Sequence, residues 1–194
     1  DTMLHVRGES VFIDDLPEWA ELQHLAVVFS NVAHGTIKRL DVSKALAAPG
    51  VTRVITAADI PGQNQIGGIF PDEPLLADGS VHFIGDPLAI VVARSREEAY
   101  AARRLVEFEV DPLPVVIDPR ESFKNGTLIQ PPRTFALGDT DKTWADCDLV
   151  LEGVAENGGQ EHVYLETQIS VAIPQENGEI KIISSTQSPT VVQK

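Results

Sequence analysis

Residues 158–167, Gly-Gly-Gln-Glu-His-Val-Tyr-Leu-Glu-Thr, are the densest polar cluster in the chain. The glycines at 158 and 159 permit a positive φ or the close approach of another group to the backbone. Gln160 brings a neutral amide, Glu161 and Glu166 carboxylates, and His162 an imidazole. Hydrogen bonding to a bound group, proton handling and metal ligation all lie within these residue types. On a regular strand side chains alternate faces, which sets Gln160, His162 and Tyr164 on one face and Glu161, Val163 and Leu165 on the other. An ordinary polar edge strand beside a turn has the same spacing. A zinc site built from His162 and Glu166 needs further ligands that nothing in the sequence identifies.

The remaining candidates are more isolated. His34, in the stretch 31–35, follows a strand-like run and reads as a loop-capping histidine ahead of a binding residue. Asp14 and Asp15 could ligate a cation or form a solvated turn, with the turn favoured; Asp72-Glu73-Pro74 is an acidic surface loop. Cys147 has no base near it in sequence and is expected to be a buried structural thiol. Gly67-Gly68 lacks the downstream helix of a phosphate cradle and reads as a flexible turn. The sequence has no G-x-G-x-x-G after a strand, no G-x-x-x-x-G-K-[ST], no H-E-x-x-H and no G-x-S-x-G.

The elements that must carry these residues are mixed. Apolar β-type runs fall at 22–29, 37–42, 51–56, 81–84 and 88–93. A short helix is predicted at 43–48, ended by Pro49-Gly50, and a clear one at 95–106, where Ser95 and Glu98 spell a capping box. With 88–93 before it and 107–110 after it, this helix predicts a strand–helix–strand unit with parallel pairing. Five prolines between 111 and 138 predict an irregular connector, followed by a turn or two of helix at 139–145. Further β-type runs lie at 149–156, 163–173 and 179–185, the last two joined by the turn 174–178 as an antiparallel hairpin. Ser188-Pro189 looks like the start of a helix, so the chain is expected to be a fragment of something longer.

Composition narrows the partners. In 194 residues, 15 Lys+Arg stand against 29 Asp+Glu, a net charge of −14, which repels a phosphate backbone and argues against nucleic acid. A hydrophobic share of 43% describes a globular chain, and no run approaches the ~18 apolar residues of a membrane helix. One cysteine excludes an internal disulfide framework or a multi-cysteine metal site, and the expected compartment is the reducing cytoplasm.

Taken together, these stretches resemble the xanthine dehydrogenase and aldehyde oxidase family of molybdenum hydroxylases. GGQEHVYLET at 158–167 is similar to a family signature, with Val163 where the family usually has Phe. GESVFIDDLP at 8–17 resembles the family's opening G-x-A-x-[FY]-x-D-D-[IL]-P, and Ala33-His34-Gly35 with Ile37 its A-H-A-x-I. The stretches 45–51, 57–62, 72–77 and 81–93 continue the register, and Ser185-Thr186-Gln187 resembles the S-T-Q that follows the signature. The matches keep family order from about residue 6 to residue 187.

The resemblance implies an α/β (α+β) architecture: a hammerhead-type domain over 1–120, a connector over 121–144, and the first strands of a molybdopterin-binding domain over 145–194. It implies a molybdopterin-dependent oxidoreductase that hydroxylates purines or related N-heterocycles with water as oxygen source. Electrons would pass to Fe–S, FAD and NAD partners on other subunits or domains. An aldehyde oxidase-type enzyme and a non-catalytic assembly scaffold are the alternatives. The cofactor would be molybdopterin or molybdopterin cytosine dinucleotide with Mo, in an oligomeric full-length parent without membrane partners. Gln160 matches the glutamine whose amide lies beside the molybdenum's oxygen ligand, without being a ligand itself, and Gly158 and Gly159 let the backbone pass close. Glu161 and His162 match with a supporting role only. The glycine-rich pterin loop and the general-base glutamate would lie beyond Lys194. No catalytic residue is therefore expected in this fragment, and alone it is expected to be inactive.

Overall fold

A computed structural model describes residues 2–193. The chain divides into two compact units, one running to Val115 and resuming at Ile169, the other spanning Val116–Gln168.

The first unit opens with a short helix, α1 (Thr2–Arg7), and a 3-10 turn at Ile13–Asp15. Strands β1 (His24–Phe29) and β2 (Gly35–Asp41), helix α2 (Ser43–Leu46) and strand β3 (Val51–Thr56) follow. Next come β4 (Ser80–Val81), β5 (Pro87–Ala93), helix α3 (Arg96–Arg103) and β6 (Glu107–Pro112). Two three-stranded sheets result, ordered β1-β5-β3 and β4-β2-β6, and every ladder is antiparallel.

The expected parallel pairing of the runs at 88–93 and 107–110 is therefore corrected: β5 and β6 lie in different sheets. Both edges of β5 are already occupied, by β1 from His24↔Ala93 onward and by β3 from Val51↔Ala93 onward. With no edge left, the chain emerging from α3 pairs with β2 instead, Asp41 opposite Glu107.

β5 is buried on both faces, which is why it reads as a continuous apolar run rather than an alternation. Ala89 and Val91 pack with Val28, Val54, Ala102 and Val106, while Leu88 packs on the other side with Ala77 and Val81. Partly buried Leu40 and Phe108 of the second sheet touch both clusters and join the two sheets into one core. α3 turns Ala99 and Ala102 inward; small side chains there let the helix lie close on the sheet. Ser95 caps it by accepting the Glu98 N–H at 3.2 Å. The Glu98 carboxylate goes elsewhere, 3.9 Å from Arg94 and over the backbone of Gly50.

In the second unit the connector is not wholly irregular. Helix α4 (Pro119–Asn125) sits inside it, with Asp118 accepting the Arg120 N–H at 2.8 Å, Pro119 in the first turn and Gly126 at φ 71 closing it. Pro119 is a helix starter here rather than a breaker, because the N–H it lacks has no intrahelical partner at that position. Helix α5 (Thr140–Ala145) follows, capped by Asp139. The run at 149–156 forms no strand: Leu149, Leu151 and Val154 are exposed, and a strand requires a partner to satisfy its backbone.

Beyond Ile169 the chain forms the hairpin expected from its turn. Strands β7 (Ser170–Pro174) and β8 (Ile180–Ser184) pair antiparallel, so the predicted run at 163–173 shortens to its last part. Helix α6 (Pro189–Gln193) begins where Ser188-Pro189 signalled it. Among the described residues no helix is long and apolar enough to cross a membrane.

Candidate functional site

The signature segment is irregular backbone rather than a strand, so Gln160, His162 and Tyr164 do not share a sheet face; that expectation is corrected. Alternation requires a ladder, and residues 158–165 have none. Neither Gly158 nor Gly159 adopts a positive φ, and a Cβ on either would meet nothing within 4 Å. Their backbone is bare and open where a side chain would stand. Gln160 is exposed, and its amide makes no hydrogen bond among the described residues.

The next residue is constrained. Glu161 folds back so that Oε1 accepts the backbone N–H groups of His162, at 3.0 Å, and Val163, at 3.5 Å. Val163 itself sits at φ 51 and is 81% exposed. A β-branched residue at positive φ is a genuine conformational outlier.

Among the described residues no three His, Cys, Asp or Glu come together to hold a metal ion, so His162 and Glu166 are not assembled into a ligand set. What 158–160 offers instead is neutral: open backbone N–H groups and one carboxamide. That donor chemistry fits a metal carried inside an organic cofactor, whose outer atoms accept hydrogen bonds while the protein contributes no charged ligand.

The other sequence candidates resolve into structural roles. His34 caps its loop: Nδ1 donates to the Pro114 carbonyl at 2.8 Å, and the ring stacks on His82 with centroids 6.0 Å apart. Asp15 closes its own turn by accepting the Phe12 N–H at 2.9 Å. Glu73 belongs to a loop held by side chains, its N–H donating to Gln65 Oε1 at 3.2 Å. Cys147 is exposed rather than buried, a correction; its thiol donates to the Thr143 carbonyl at 3.2 Å, one helical turn back. It lines an open hollow of about 350 Å³ with Leu137, Asp139 and Trp144.

Sequence reading passed over two residues that shape the first unit. Asn64 mimics a strand partner, donating to the Leu76 carbonyl at 2.7 Å and accepting its N–H at 3.0 Å. Asp86, only 2% exposed, accepts the His82 N–H at 2.9 Å and holds the turn before β5. The Gly85-Asp86-Pro87 triplet was the available signal for that turn.

Comparison with known proteins identifies the relatives of this chain. Residues 7–114 match the family model described as the aldehyde oxidase and xanthine dehydrogenase a/b hammerhead domain, and residues 123–194 match the molybdopterin cofactor-binding domain. The chain is 36% identical over 190 residues to a xanthine dehydrogenase of Calliphora vicina, covering 96% of this chain and 14% of that protein. It is 39% identical over 192 residues to aldehyde oxidase 4 of Mus musculus, covering 98% of this chain and again 14% of the relative. Among solved structures, quinoline 2-oxidoreductase from Pseudomonas putida 86 superposes with a TM-score of 0.83 at 29% identity, over 99% of this chain and 26% of that one. The aldehyde oxidoreductase from Desulfovibrio gigas gives 0.80 at 30% identity, over 93% and 22% respectively. The chain thus spans about a seventh of the curated relatives it matches. With more than half its length in the hammerhead match and the exposed glutamine segment inside the cofactor-domain match, this chain belongs to the aldehyde oxidase and xanthine dehydrogenase family.

Proposed function

We propose that this chain is part of the molybdenum-binding portion of a xanthine dehydrogenase-like hydroxylase. Its substrates are purines or related N-heterocycles, water is the oxygen source, and electrons leave through iron–sulfur and FAD partners. The observation that carries the reading is the bare Gly158-Gly159 backbone followed by the exposed Gln160 amide, which has no partner among the described residues, within the stretch matched to a molybdopterin cofactor-binding domain. In this reading Gly158, Gly159 and Gln160 contact a molybdenum cofactor of the molybdopterin or molybdopterin cytosine dinucleotide type. When bound, that group supplies the redox chemistry. The chain's own part is to present backbone close to the cofactor and to aim one neutral carboxamide donor at it, fixing orientation without adding charge. The even similarity to a xanthine dehydrogenase and to an aldehyde oxidase supports a second reading, in which an aldehyde is the substrate.

Molybdenum and pterin content of the full-length parent, purified from its native host, tests the proposal. Roughly stoichiometric amounts of both are expected. In that parent Gln160→Ala is expected to keep the fold and metal content but lower turnover about 10–100-fold, the usual effect of removing an outer-shell partner. A well-folded parent without molybdenum overturns the hydroxylase reading; wild-type turnover in the variant removes Gln160 from it. Turnover with purines against aldehydes separates the two substrate classes.

A further inference from the structure

We infer that Glu161 is a positioning residue: its carboxylate holds the turn at 161–163 and thereby fixes the backbone from which the Gln160 side chain extends. The inference rests on the proposed cofactor role of Gln160 and assigns a task to its neighbour. A glutamate in an exposed polar run has no need to fold back on its own backbone, yet Glu161 Oε1 accepts from both His162 and Val163 N–H groups. An ionised carboxylate makes such hydrogen bonds stronger than a neutral acceptor would.

The turn it closes is not one the chain adopts freely. Val163 is β-branched and lies at φ 51, a region such residues avoid. With its side chain 81% exposed, packing does not enforce that backbone. The carboxylate is the restraint in view. On the other flank, Gly158 and Gly159 have no side chains, and Gln160 makes no hydrogen bond of its own among the described residues. The restraint therefore acts on the backbone at the C-terminal side of Gln160, through the peptide it shares with Glu161. Strain held at a site by a dedicated contact is a mark of preorganisation.

The test uses the full-length holoenzyme with Glu161→Ala, Glu161→Gln and Glu161→Ala combined with Val163→Gly. Amide exchange of the segment 158–166, followed by mass spectrometry, reports the turn directly and does not depend on turnover. Glu161→Ala is expected to speed that exchange and lower kcat about tenfold, with KM moving less than about threefold and molybdenum content unchanged. Glu161→Gln keeps an acceptor oxygen but loses the charge that strengthens the bonds, and is expected to fall between wild type and Glu161→Ala in both readouts. Adding Val163→Gly is expected to recover about half the lost kcat or more, since glycine takes a positive φ without the restraint. Unchanged exchange in Glu161→Ala overturns the inference, as does faster exchange with wild-type kcat, or a Glu161→Gln variant as impaired as Glu161→Ala. A parent lacking molybdenum and pterin would instead fell the cofactor reading, and with it the positioning role, while exchange still decides whether Glu161 holds the turn.

Discussion

At the scale of single residues, what a side chain is tied to decides its role more than its type does. His34 has the chemistry of a ligand or base, but its Nδ1 is spent on the Pro114 carbonyl and its ring on His82. Gln160 has a less reactive group and is exposed, with no hydrogen-bond partner among the described residues. Gly50 shows the same logic on the backbone. It turns the chain at φ 77 between α2 and β3, and a Cβ there would run into the Glu98 carboxylate. The carboxylate ends a flexible side chain and can move aside, so the dihedral is the larger penalty. Gly50→Ala is expected to destabilise the fold by about 1–2 kcal/mol, read by chemical denaturation with near-unchanged circular dichroism. A loss under about 0.3 kcal/mol would mean the turn relaxes without strain.

At the scale of elements, β5 organises the first unit. It is the centre of one sheet, pairs on both edges and contributes to the clusters on both of its faces. Leu88 is fully buried on the face opposite α3, against Val81 and Ala77. Leu88→Ala is therefore expected to lose about 2–5 kcal/mol by chemical denaturation, the range for emptying a packed site. Leu25→Ala, on the same sheet but 57% exposed, is expected to lose far less. Equal losses at the two positions would contradict a core centred on β5. The hairpin β7–β8 and the short helices α4 and α5 need no such core for their identity: each is set by a local signal, a turn at one end or a capping aspartate.

At the scale of the whole molecule, an excess of acidic groups is partly turned to structural use. Three carboxylates sit below their ordinary pKa. Asp59 is lowered by the backbone N–H of Thr56, then by its hydroxyl and by Arg53. Asp41 is lowered by the Ser43 hydroxyl and then its N–H, with Arg39 and Lys44 adding charge. Glu107 is lowered by Lys44, then Arg39. Since each folded-state value is depressed, the stabilisation is present above the unfolded pKa and is lost as pH falls through the folded one. Stability is expected to hold from neutrality down to the ordinary carboxylate range and to decline below it, with Asp59→Asn flattening the decline. Thermal melts from pH 7 to pH 3 check this; an acid decline equally steep in the variant would exclude Asp59 as a contributor. Salt is expected to change little, because the ion pairs Arg39–Glu107, Lys38–Asp111 and Arg53–Asp59 are exposed.

Much of this was legible without coordinates. β3 and β5, the cap at Ser95, the hairpin after Ile169 and the register of family stretches all rest on local signals: apolar runs, capping residues and turn residues read within a few positions. Other features were not. Antiparallel pairing replaced the parallel unit because β1 and β3, distant in sequence, occupy both edges of β5. The run at 149–156 forms no strand, since β propensity describes a fit to a neighbour and no neighbour is encoded within the segment. The fold-back of Glu161 onto His162 and Val163 depends on a dihedral that no composition or period announces. The sequence by itself thus determined the family and those elements that local signals mark, because both are written in short-range residue order. Tertiary structure alone decided which strand edges were free and how the segment around Gln160 is held, because those depend on which distant or strained groups finally meet.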